Sequence, residues 1–202
     1  MTIFKFAVAA LFTLVLTGCA HPLQITPAIA KLERPADAKP RVKASVAYLI
    51  DDTRRTEEKT TGGGGGDKVT TMPYRDLETG FYKMLTNVFD TVTTIKSLND
   101  KDALAKAGTQ YVIIPTVTPN SSSSSVVTWP PTSFTIDLVC AVSDIDGKAI
   151  ASPRVVGTGN AEFGEFKSDV ALAGRRAMED ALLRMQQLLL DTPLPGAGTQ
   201  AP

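Results

Sequence analysis

Two stretches of this chain repeat apolar residues at helical spacing over several turns, and neither can persist in water unless another layer covers its stripe. The first follows Pro73, a favoured first-turn residue, and runs through Tyr74, Leu77, Phe81, Met84, Leu85, Val88 and Phe89. The second comprises Val170, Ala173, Ala177, Met178, Ala181, Leu182, Met185 and Leu189, with Ser168 or Asp169 as its cap and Pro193 as its stop. The covering layer is written in strand patterns. Val42, Ala44, Val46, Tyr48 and Ile50 alternate toward one face until Asp51-Asp52. Tyr111 to Val117 is a continuous apolar run, which suits a strand covered on both faces. Phe134, Ile136, Leu138, Cys140 and Val142 alternate again, and Asp146-Gly147 marks a hairpin leading to a strand within 154–163, weakened or bulged at Gly157 and Gly159. A short strand within Val92 to Leu98 and a short helix capped by Asn99 or Asp100 and closed by Gly108 complete the set. The order predicts an α/β (α+β) two-layer sandwich, a mixed sheet with two long amphipathic helices on one face. At 202 residues, 43% hydrophobic and 21% charged, the chain has material for one such domain, placed at 41–192.

The first residues follow a different logic. Lys5 precedes the apolar run Phe6 to Leu16, which is shorter than the roughly 20 residues a spanning helix needs and reads as the core of a signal peptide over 1–18. Its end, Leu16-Thr17-Gly18-Cys19, resembles the lipobox of bacterial lipoproteins, with Leu16, Thr17 and Gly18 as the signal-peptidase recognition residues. In that resemblance the Cys19 thiol, the strongest nucleophile among the side chains, receives the lipid and becomes the mature N-terminus. Several acyl chains on one residue make a stable membrane anchor, where a single chain holds only marginally. Ala20 follows Cys19; in the best-studied sorting systems an aspartate there retains a lipoprotein in the inner membrane, so the resemblance implies the outer membrane, with the domain facing the periplasm. The Pro- and Ala-rich residues after it, within 19–40, are expected to form a flexible lipidated tether, and 193–202 a disordered tail.

Ala44-Ser45-Val46-Ala47-Tyr48-Leu49-Ile50-Asp51, the helix from Tyr74, the passage Ala107-Gly108-Thr109-Gln110-Tyr111-Val112-Ile113-Ile114 and the Asp146-Gly147 hairpin resemble small envelope lipoproteins. That group includes the curli-secretion channel lipoprotein and activators of penicillin-binding proteins. The resemblance implies a fold like the N-terminal domain of the translocation protein TolB. It also implies a non-catalytic role, that of a binding or assembly accessory for another envelope component. An alternative carried by the same resemblance is a homo-oligomeric, ring-forming secretion accessory.

The chemistry-bearing residues argue against turnover. His21 is the sole histidine, which excludes multi-histidine metal sites and histidine-based triads, and its place in a tether would leave it without a preorganised pocket. Asp51-Asp52, Glu57-Glu58 and the pair Glu162 and Glu165 are read as solvated charge. Gly62 to Gly66 is followed by Asp67-Lys68-Val69, which puts a negative charge where a phosphate loop needs Gly-Lys-Ser/Thr, so the run is read as part of a long mobile loop from Asp51 to Thr71. No cofactor or metal is expected. Equal numbers of basic and acidic residues, 21 each, give no support to nucleic-acid binding. Cys140 is expected to be a free, buried thiol. Trp129, beside Pro130-Pro131 at the end of a loop that begins near Ser121, is the large aromatic outside both stripes; it either anchors a partner or folds back over the sheet edge.

Overall fold

The structure, a computed structural model, describes residues 20–196. Among these residues nine strands form two sheets, accompanied by five α-helices. The strands are β1 (Ala20–Pro22), β2 (Val42–Leu49), β3 (Lys59–Gly62), β4 (Lys68–Thr71), β5 (Phe89–Ile95), β6 (Tyr111–Ser122), β7 (Ser133–Asp144), β8 (Ala149–Ala151) and β9 (Arg154–Asn160). The helices are α1 (Asp52–Arg55), α2 (Pro73–Val88), α3 (Lys101–Lys106), α4 (Phe163–Phe166) and α5 (Leu172–Asp191).

The large sheet is mixed, in the order β5-β2-β6-β7, with β8 and β9 both pairing with β7. β2 runs parallel to β5 and β6, and the later pairs are antiparallel. The expected sandwich is present: α2 and α5 lie on one face and bury Phe81, Met84, Leu85, Met178, Leu182 and Met185 against the inward residues of the strands. On the opposite face α3 covers Ala47, Ile95 and Val112 with Leu104, which is why Tyr111 to Ile113 is buried on both sides. Past α3 the strand loses that cover, and Thr116, Thr118, Asn120 and Ser122 are exposed.

Gly157 and Gly159 do not bulge β9, whose register with β7 is unbroken from Ser133↔Asn160 to Val139↔Arg154. They admit α5. A Cβ on Gly157 would stand 2.3 Å from the Ala177 carbonyl oxygen, and one on Gly159 2.1 Å from that of Ala173. With alanines facing glycines, helix and strand backbones approach closely, and α5 then seals the sheet edge. Asp180 accepts from the Thr158 N–H at 2.9 Å, and Arg176 donates to the Asn160 carbonyl at 2.7 Å. An open edge would present such groups to other chains.

The N-terminal segment departs most from expectation. Residues expected to form a loose tether are built into the domain, so its boundary lies upstream of 41. β1 pairs in parallel with β4, Leu23 continues with a bond from its N–H to the Thr70 carbonyl at 2.8 Å, and a strap then runs along the groove between α2 and α5. Ile25 and Leu32 are buried there. Two helix glycines make room: a Cβ on Gly80 would meet Pro27 at 2.6 Å, and one on Gly174 would meet Ile25 at 2.3 Å. Polar clips close the groove. Asp76, with 0% exposure, accepts from the Ile25 N–H at 3.0 Å and the Thr26 hydroxyl at 3.1 Å, and Asn87 donates to the Leu32 carbonyl at 2.7 Å and to Gln186 at 2.9 Å.

Other expectations also shift. The Asp51 to Thr71 loop contains α1 and the β3–β4 hairpin, because β-branched Thr60, Thr61, Thr70 and Thr71 flank the glycines and pair across it. Ser121 and Ser122 belong to β6, paired with Phe134 and Ser133. Before the last helix lies α4, held by a reciprocal Glu162–Glu165 capping box, so the helix starts at Leu172 and Val170 stands outside it, exposed. The start of the tail is also ordered: Leu194 is buried and the Tyr111 hydroxyl donates to the Pro195 carbonyl.

Two tests follow from these contacts. Gly159→Ala is expected to lose about 3 kcal/mol in urea unfolding through the clash with α5, while Gly164→Ala, with open space around it, stays within about 0.5 kcal/mol. Asp76→Ala leaves the buried Ile25 N–H unpaired and is expected to cost about 2 kcal/mol. Burial pushes the Asp76 carboxyl above its ordinary value, against the opposing pull of its Ile25 and Thr26 bonds. Between that raised value and the ordinary value of about 3.9, the native state holds a proton that the unfolded chain releases, so this group adds stability as pH falls. The penalty of Asp76→Ala, read from urea midpoints, is therefore expected to be larger at about pH 4.5 than at about pH 7.

Candidate functional site

At one end of the molecule three segments far apart in sequence are joined: β1, the glycine turn between β3 and β4, and the Ser123–Thr132 loop between β6 and β7. The glycine turn folds tightly, with the Gly63 N–H bonded to the Asp67 carbonyl at 2.8 Å, and Gly65 and Gly66 at φ +64° and +88°, where a Cβ would be strained. Its outer backbone then docks on the other loop. The Gly64 N–H donates to the Trp129 carbonyl at 2.8 Å and the Gly65 N–H to the Ser125 carbonyl at 3.0 Å. A Cβ on Gly64 would stand 1.9 Å from the Thr128 carbonyl oxygen, so glycine is required for the approach itself. Ser121 ties the bases of the two loops by donating to the Gly62 carbonyl at 2.6 Å. Ser125 shapes the second loop, its hydroxyl accepting from the Thr128 N–H at 3.1 Å.

Trp129 folds back against the core, half-buried, and stacks on His21 with ring centroids 4.2 Å apart and planes 22° apart. His21 in turn sits in β1, opposite Val69, with Nε2 3.8 Å from Asp67. The sole histidine is therefore held in place by strand pairing and stacking, contrary to the expectation of a loose tether. Trp129 itself is brought into this junction. Cys19, Leu16, Thr17 and Gly18 lie outside the described residues, and Ala20, the first described residue, already pairs with Lys68. Not legible in the sequence is that the glycine turn within Asp51 to Thr71 and the loop that ends at Trp129-Pro130-Pro131 form one surface. The available signal was the close spacing of Thr-rich strand segments on either side of a five-glycine turn.

Apart from Glu58, which is exposed, the candidate acid–base residues have structural tasks. Asp51 caps α1 by accepting from the Arg54 N–H at 2.8 Å, Asp52 and Glu78 share Arg55, and Glu57 pairs with Lys59. Glu165 completes the α4 capping box and is gripped by Arg176 through both guanidinium nitrogens. Those Arg176 bonds, helped by the Glu162 N–H, pull its pKa down to about 2. Cys140 is fully buried, and burial raises its thiol pKa far above the ordinary range, which leaves it unreactive. Among the described residues no group of three His, Cys, Asp or Glu side chains could hold a metal ion. Nor is any described helix long and apolar enough to cross a membrane. A recess of about 380 Å³ separates the Ser-rich loop from α4, lined by Ser124, Ser125, Thr128, Asn160 and Phe163 among others.

No protein-family model and no curated protein sequence matches the chain. Among solved structures, a Xanthomonas campestris protein of family DUF330 is similar over 87% of this chain and 96% of its own, with 14% identity and a TM-score of 0.51. This likeness shows a shared fold. A minor lipoprotein from Acinetobacter baumannii aligns over 73% of this chain and 93% of its own, at 10% identity and a TM-score of 0.43. A dodecameric PelC from Paraburkholderia phytofirmans aligns over 71% and 94%, at 13% identity and a TM-score of 0.35.

The loop junction predicts a specific sensitivity. Gly64→Ala is expected to separate the glycine turn from the Ser-rich loop, red-shift and weaken the protection of Trp129 fluorescence, and cost about 2 kcal/mol in urea unfolding. Trp129 is the sole tryptophan, so the spectral shift reports this junction alone.

Proposed function

We propose that the chain is a non-catalytic lipoprotein of the bacterial cell envelope, anchored through Cys19 to the outer membrane with its domain on the periplasmic side, and serving as a binding or assembly accessory for another envelope component. The observation that carries the reading is the run Leu16-Thr17-Gly18-Cys19, with a signal-type segment before it and a folded strand directly after it. Support for the absence of catalysis is chemical. Apart from exposed Glu58, the grouped carboxylates serve as helix caps or ion-pair members, the one described thiol is buried, and the single histidine is stacked on Trp129. The junction of the glycine turn with the Ser-rich loop is the surface where an accessory of this kind would be read by its surroundings, since loops held on a rigid scaffold are where recognition concentrates.

Labelling cells with radioactive palmitate tests the anchor: the wild-type chain is expected to incorporate it and sediment with membranes, and Cys19→Ala to do neither. Membrane fractionation tests the address. Ala20→Asp is expected to move the labelled protein from the outer to the inner membrane fraction, and an unchanged distribution would remove the basis for the outer-membrane assignment.

A further inference from the structure

Ala20 is paired with Lys68, the residue where β4 leaves the glycine turn. One trans peptide link, about 3.8 Å between Cα atoms, joins it to Cys19. The lipid, if Cys19 carries it as proposed above, is therefore attached without slack to the end of the molecule that holds the glycine turn and the Ser-rich loop. The membrane surface must lie against that end.

This end carries the most exposed large apolar side chains among the described residues, beside exposed Lys68 and Glu162. Val126 and Val127, consecutive at the tip of the Ser-rich loop, are 85% and 87% exposed. Across the recess lies Phe163 on α4, 56% exposed, with the Lys167 ammonium 4.6 Å above its ring. These are the three most exposed large apolar side chains among the described residues, and they share one end. The tip is also supported from behind: the Gly65 N–H holds the Ser125 carbonyl, and a Cβ at Gly65 would stand 3.4 Å from the Val126 carbonyl oxygen. The loop neck is built of Ser123, Ser124, Ser125 and Thr128, hydroxyl side chains suited to the headgroup layer. Lys167 is a cation on a flexible stem, which can rest its methylenes on apolar surface while its charge reaches anionic headgroups.

We propose that Val126, Val127 and Phe163, with Lys167 beside them, insert into the interface of the same leaflet that holds the Cys19 lipid, so that the domain stands on the membrane in one orientation. This inference rests on the lipidation reading. Two valines and a phenylalanine would not hold a free protein on a bilayer, but a tethered one needs far less, because the anchor turns docking into an intramolecular step at high effective concentration. In the docked state β6 and β7 rise from the surface, and their 12 paired positions carry the Asp144–Lys148 hairpin about 40 Å away.

The test uses the full mature protein, purified from palmitate-labelled cells and reconstituted into vesicles of phosphatidylethanolamine and phosphatidylglycerol. Val127→Cys carries a nitroxide label, and Ile145→Cys, in the hairpin at the far end, carries it in a parallel sample; Cys140 is buried and does not compete. Collision with oxygen, which concentrates in lipid, is compared with collision with a water-soluble nickel chelate. The expected result is a several-fold higher oxygen-to-nickel ratio at 127 than at 145. Equal ratios in protein that carries palmitate would overturn the inference while leaving the lipidation reading intact. Absence of palmitate would overturn both.

Discussion

Asp76 is a carboxylate with no solvent exposure, and what it holds is backbone: the Ile25 N–H and the Thr26 hydroxyl of a segment about 50 residues upstream. The cost of burying that charge is offset by two hydrogen bonds and by what they allow. With Ile25 fixed, the strap lies in the groove between α2 and α5, Leu32 is sealed beneath it, and Asn87 and Gln186 join the two helices below its end. Without the strap that groove would expose the flanks of Gly80, Leu182 and Gly174, small or apolar positions shaped to receive Pro27 and Ile25. The strap is thus a third layer of the sandwich, and the chain from Leu23 onward is part of the core.

The elements legible in the sequence are those in which one periodicity decides the structure. β2, α2, β7 and α5 each carry a long uninterrupted pattern, and each forms within two residues of its expected bounds at most positions. The strap carried no such pattern. Leu23, Ile25 and Pro27 are buried at alternate positions, but that period spans only three residues, with Pro22 before it and Pro27 at its end, and Leu32 falls outside it, so the run is too short to mark an element. The small sheet was hidden for a related reason: of its second and third strands only Val69 and Thr71 are buried, and a strand with so little apolar burial resembles a loop in its composition.

Glycine is the residue type whose role the sequence conveys least, because one letter serves three physical ends. In β9, Gly157 and Gly159 are ordinary extended residues whose missing Cβ lets α5 come close. In the turn after β3, Gly65 and Gly66 supply positive φ, while Gly64 supplies clearance for another loop's carbonyl. A run of glycines reads as flexibility when nothing is known to lie beside it. Here a carbonyl of Thr128 lies where the Cβ would be, and a turn that would otherwise be mobile becomes the joint that locks two loops together.

That joint also changes what an anchor at Cys19 would mean. A domain on a long flexible tether samples many orientations, and its surfaces meet partners with little bias from the membrane. A domain in which the residue next to the anchor pairs in a strand would lose that freedom, and with the lipid on Cys19 as proposed the end bearing Ala20 would face the bilayer and the opposite end would face away. His21 reinforces the geometry by stacking on Trp129, which couples β1 to the loop with the exposed valines. Partner contact on the glycine turn or the Ser-rich loop would then take place at the membrane surface. The far hairpin, the exposed threonine face of β6 and the recess near Tyr111 would be left open on the side away from the membrane. On such a molecule, position along β6 and β7 becomes height above the membrane, and where a partner binds is set as much by that height as by the chemistry of the surface it meets.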